Sequence, residues 1–102
     1  MNVIIVNREN FEQEVLKSEK KVLIDFYADW CGPCHMMSPV VEKFAQEHPE
    51  YKVAKVDVDH EPELAASFKI ESIPALFVVE HGRIVNQTVG VRTKEELLEL
   101  LL

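Results

Sequence analysis

The chain has 102 residues, 47% of them hydrophobic and 28% charged, with a formal net charge of −7. That length predicts a single domain over residues 1–102 and leaves no material for a second core. The acidic balance excludes a nucleic-acid surface, which needs a basic patch, and no apolar stretch reaches membrane-spanning length.

The acid is spread through Glu9–Glu19, Asp57–Glu63 and Glu95–Glu99, as expected of solvated helix and loop faces. The apolar run at the start, Val3–Val6, is too short for a signal-peptide core and has no basic leader. A cytoplasmic setting is therefore expected, where structural disulfides are rare.

Val3–Val6 reads as a short strand. Asn7 can cap a helix to about Ser18, with Phe11, Val15 and Leu16 on its apolar side. Val22–Ala28 is apolar at both parities, the pattern of a strand buried on both faces. Met37, Val40, Val41, Phe44 and Ala45 recur at helical spacing. Pro39 inside that pattern predicts a kink or break near Ser38, and the helix should stop before Pro49. Val53–Val58 is a further strand. Glu61–Phe68 is a short helix with Pro62 in its first turn. Ala75–Val79 and Arg83–Val89 form a hairpin around His81-Gly82. Thr93 caps a last helix with Leu97, Leu98 and Leu101 on one side. The order βαβαβαββα predicts an α/β fold with a central mixed sheet of five strands flanked by four helices.

The cysteines number two, and they stand three apart in Trp30-Cys31-Gly32-Pro33-Cys34. A dithiol this close can open and close a disulfide without unfolding the chain, which makes thiol–disulfide exchange the first hypothesis. Cys31 falls in the turn from strand to helix. Free backbone N–H groups and the positive end of the helix dipole favour a thiolate there. Cys34, one turn on, is expected to be the more buried. Gly32 is expected to allow an unusual dihedral and close backbone approach, and Pro33 suits an early helical position.

Three other uses of the pair are weaker. A staple closing so short a loop contributes only about 2 kcal/mol. A structural zinc site needs four ligands, and neither a second CxxC nor a spaced histidine pair accompanies Cys31, Cys34 and His35. Cys31 to His35 also spells the haem-attachment pattern, which the α/β order and the proline inside the motif oppose. Asp25, a lone carboxylate in a buried strand, should titrate high through desolvation. Its alternative is an edge position reaching solvent. Lys55 on the neighbouring strand is either its partner or an ordinary solvated lysine.

The segment Asp25-Phe26-Tyr27-Ala28-Asp29-Trp30-Cys31-Gly32-Pro33-Cys34 resembles the active-site segment of the thioredoxin family. The resemblance continues in register through Pro39, Val53-Ala54-Lys55-Val56-Asp57, Ile73-Pro74 and Gly90. It implies a thioredoxin fold and a protein-disulfide reductase. Cys31 would attack, Cys34 would resolve, and Asp25 would help deprotonate Cys34. Gly32, Pro33 and Lys55 would tune the redox chemistry. Pro74 would be cis and face the dithiol. Trp30, Ile73, Pro74, Gly90 and Val91 would form the docking surface. The partners implied are disulfide-containing proteins and a thioredoxin reductase. No cofactor, metal or membrane is implied, and a monomer is expected. Tyr27, His35 and Ala75 depart from the commonest family residues. The alternatives are a disulfide oxidase or isomerase on the same fold, and a binding module with incidental cysteines.

Overall fold

The computed structural model describes residues 2–102. Met1, part of the single-domain expectation, lies outside the described residues. Strands β1 (Val3–Ile5), β2 (Val22–Tyr27), β3 (Lys52–Asp57), β4 (Ala75–Glu80) and β5 (Arg83–Val89) form one sheet in the order β1-β3-β2-β4-β5. β1, β3 and β2 run parallel; β4 is antiparallel to β2, and β5 to β4. The mixed five-stranded sheet is the one expected. Strand limits differ from expectation by a residue or so, and main-chain bonds carry the ladder slightly further. Val6 N–H donates to the Lys55 carbonyl at 2.8 Å, and Val58 N–H to the Tyr27 carbonyl at 2.9 Å.

The helices are a π-helical turn (Glu12–Leu16), α1 (Gly32–Glu47), α2 (Pro62–Ser67) and α3 (Lys94–Leu101). Asn7 does not cap the first of them, whose N-cap is Phe11 with no side-chain hydrogen bond; Asn7 closes the turn that leads into it. Its Oδ1 accepts from Asn10 N–H at 2.9 Å, while Asn10 Oδ1 accepts from Asn7 N–H at 2.8 Å. The winding is wider than expected: Lys17 N–H reaches back five residues to the Glu12 carbonyl at 2.9 Å. Phe11 and Val15 still face the sheet, but Leu16 is turned outward.

The break expected at Pro39 is absent, since α1 runs unbroken through it. The Pro39 ring is exposed, while Cys34, Met37, Val41, Phe44 and Ala45 bury the opposite stripe. That packing outweighs the roughly 3 kcal/mol cost of an internal proline. α3 begins with a full capping box between Thr93 and Glu96 and buries Leu97 and Leu101.

The sheet has two faces because strand side chains alternate. Val22, Ile24 and Phe26 of β2 join Ala54, Val56, Ala75 and Phe77 under the π-helical turn and α2. Leu23 joins Met37, Val41, Phe44, Val53, Leu76 and Leu97 under α1 and α3. Asp25 shares parity with Leu23 and stands in register with Lys55 on β3 and Leu76 on β4. It therefore belongs to the α1 face.

Topology also decides which loops meet. β2 ends at Tyr27, beside Asp57 at the end of β3. The antiparallel β4 begins at that same end, where Ala75 pairs with Val89 of β5. The segments 28–31, 58–60, 73–74 and 90–91 thus gather at one pole of the sheet. The His81-Gly82 turn lies at the other.

Candidate active site

Cys31 is the N-cap of α1 and is disulfide-bonded to Cys34, with 5.2 Å between their Cα atoms. Its Sγ accepts a hydrogen bond from Cys34 N–H at 3.2 Å. Sulfur thus does what a serine or aspartate oxygen does at most helix starts. The first turn of α1 contains no acidic residue, so nothing there cancels the positive end of the dipole. Both features favour negative charge on Cys31.

The expected difference in burial between the cysteines is not found; each is 4% exposed. The bond ties both into one cluster with Ala28, and Tyr27, Val58 and Ile73 pack against it. The Ile73–Pro74 peptide is cis, and the Ile73 carbonyl oxygen lies 3.8 Å from Cys31 Sγ. Pro74 itself is buried, and its carbonyl accepts from Gly90 N–H at 2.8 Å. That bond joins two of the segments expected to dock substrate.

Gly32 is a second correction. It is the first residue of α1, its φ is not positive, and an added Cβ would meet nothing within 4 Å. The chain's own fold does not need glycine there. Gly90 is the reverse case: its φ is +100°, and a Cβ would lie 3.3 Å from an Arg92 nitrogen. Arg92 N–H in turn donates to Sδ of buried Met37 at 3.3 Å, fastening the segment after Val91 to α1. Pro33 sits in the first turn of α1, as expected.

Asp25 is 1% exposed, which rules out the edge reading. Among the described residues neither of its carboxylate oxygens has a hydrogen-bond partner. Burial pushes its pKa up to about 6, against the opposing pull of the Lys55 ammonium. Lys55 is only partly buried. Its Nζ lies 3.4 Å from Ser38 Oγ on α1 and 4.5 Å from the centre of the Tyr27 ring. The Tyr27 phenol is pushed up, first by burial and then by the charges of Asp57, Asp29 and Asp25.

Around the dithiol the surface is apolar and open. Trp30 is 71% exposed, Met36 65% and Val91 39%, with Ile73 half-buried. The sequence reading missed Met36. It also missed Asp59, whose Oδ2 accepts from the Trp30 indole N–H at 2.8 Å. Asp59 is itself placed by Asp57, whose Oδ1 accepts from Asp59 N–H at 2.9 Å. No local sequence signal marks the contact of Trp30 with Asp59, because it depends on the pairing of Tyr27 with Asp57, which sends segments 28–30 and 58–60 off the same sheet end. Among the described residues no group of three or more His, Cys, Asp or Glu side chains could hold a metal ion. None of the described helices is long and apolar enough to cross a membrane.

Residues 2–102 match the family model described as Thioredoxin. A thioredoxin of Listeria monocytogenes is 48% identical over 92 residues, covering 89% of this chain and 87% of its own. One from Alicyclobacillus acidocaldarius is 48% identical over 89 residues, covering 86% and 84%. One from Chlamydia trachomatis is 40% identical over 99 residues, covering 97% and 95%.

Proposed function

The chain belongs to the thioredoxin family and is a thiol–disulfide oxidoreductase acting on disulfides; from that premise we propose how its residues divide the work. Cys31, as thiolate, attacks a disulfide in an extended segment of a partner protein. One partner sulfur leaves as a thiolate and a mixed disulfide forms. Cys34 then gives up its proton with help from Asp25 and attacks Cys31 Sγ. The second partner sulfur leaves, and the Cys31–Cys34 bond remains. Two electrons have passed to the partner, carried by the cysteines themselves.

The observation that carries this reading is the capping of α1 by Cys31, with its sulfur on the Cys34 N–H and no acid in the turn. A low thiol pKa makes Cys31 both a ready attacker and a good leaving group. Asp25 suits proton transfer because a carboxylate titrating near neutrality can both take and release a proton. Lys55 moderates that titration, and Gly32 and Pro33 govern closure of the ring. Trp30, Ile73, Pro74, Gly90 and Val91 form the docking floor, with the Ile73 main chain pairing to the substrate segment. The open space over Gly32 leaves room for that segment to approach. A thioredoxin reductase restores the dithiol. Residues 1–102 act as one domain and as a monomer in the cytoplasm, where thiols are kept reduced.

The test is trapping. With a disulfide-bonded protein substrate, Cys34→Ser accumulates a covalent complex through Cys31, and Cys31→Ser forms none. Rapid release of reduced substrate by Cys34→Ser would overturn the assigned roles.

A further inference from the structure

His35 has no part in the cycle above, yet it stands directly after Cys34 on the first turn of α1. Its side chain is exposed, and its Nε2 lies 2.6 Å from the carbonyl oxygen of Asp29. A carbonyl only accepts, so Nε2 carries the hydrogen. That is true of the Nε2–H tautomer and of the cation alike, so the contact does not depend on the ring's charge. The bond closes a loop from Asp29 to His35, and the whole Cys31–Cys34 ring lies inside it. The rest of that loop is fastened too. Cys31 N–H donates to the Ala28 carbonyl at 3.2 Å, and the Trp30 indole is held by Asp59.

We propose that His35 is a positioning residue: its ring clips the Asp29 carbonyl to α1, holds the two sulfurs in reach of one another, and so stabilises the disulfide form. The proposal rests on the dithiol-exchange reading and deepens it. Without the clip, the segment bearing Cys31 gains freedom against α1 when the disulfide opens. Closing the ring must then remove that freedom again. The net worth of one such hydrogen bond corresponds to about a fivefold change in an equilibrium constant. For this two-electron couple, fivefold is about 20 mV.

A purely electrostatic His35 would act in the opposite direction. A cation beside Cys31 stabilises its thiolate and hence the reduced form, so removing it would lower the potential. The signs separate the two roles. Because His35 is exposed and outside the buried clusters, its variants are expected to keep the fold.

The experiment is a glutathione titration of the intact wild-type chain, His35→Ala and His35→Gln at one pH. His35→Ala is expected to form its disulfide with an equilibrium constant about fivefold smaller, a potential about 20 mV higher. His35→Gln, whose side-chain N–H can reach the same carbonyl, is expected within about twofold of wild type. An unchanged or larger constant for His35→Ala, or a His35→Gln that behaves like His35→Ala, overturns the clip. A wild-type chain that does not titrate as a dithiol–disulfide couple would instead overturn the exchange reading itself.

Discussion

The two faces of the sheet are built from the same strands but do different work. Under the π-helical turn and α2, β2 contributes Val22, Ile24 and Phe26 to a wholly apolar cluster. Phe26 there meets the rings of Phe68 and Phe77 with centroids 4.9 and 5.6 Å away. One residue along the same strand, Asp25 puts on the α1 face a carboxylate with no hydrogen-bond partner among the described residues. An apolar side chain at that position would be cheaper for folding. The face that carries α1 and its dithiol thus gives up stability that the other face keeps, and the sacrifice sits where we propose that a proton moves.

Substitutions on each face sharpen that contrast. The largest effect is expected from Phe26→Ala, which removes a fully buried ring from the packing face. It should cost about 3–5 kcal/mol in denaturant unfolding and leave the Cys31–Cys34 potential where it was. A shifted potential would mean the faces are not separable.

Asp25→Asn should do the reverse, raising stability while slowing turnover. The folded pKa of about 6 lies above the ordinary 3.8, so between those values the folded chain holds a proton that the unfolded chain has lost. Wild-type stability therefore falls as pH rises through that window. The variant should gain about 3 kcal/mol over wild type above pH ~7 and little below pH ~4. Parallel stability–pH curves for the two proteins would break the comparison.

The smallest effect is expected from Lys55→Met. It removes the ammonium that favours ionised Asp25, so the carboxyl should titrate above its present value of about 6. Stability at pH 8 should fall by about 1 kcal/mol or less. NMR observation of the Asp25 carboxyl measures this directly, and an unmoved midpoint would show that Lys55 is only a solvated side chain.

Much of this was legible in the residues. The two-parity apolar run of β2 announced a central strand, and the helix stripe of Met37, Val41, Phe44 and Ala45 announced α1. The place proposed for the nucleophile followed from the strand-to-helix turn between them. What escaped reading depends on atoms far apart in the chain. The support of Trp30 by Asp59 needs the β2–β3 register, and the unbroken helix at Pro39 needs the packing beneath it. The widened first helix reflects docking of Phe11 and Val15 on the sheet. Gly32 escaped for another reason: its small size faces outward, so no contact within the chain records its purpose.

The β4–β5 hairpin closes through His81 and Gly82, with φ of 50° and 78°, at the pole opposite the cysteines. Two left-handed residues in a tight connection are the geometry that matches strand twist. The consequence is practical. A cargo, dye or surface attachment grafted at this tip would sit a full strand length from the sulfurs, leaving the pole that carries them clear for a disulfide substrate.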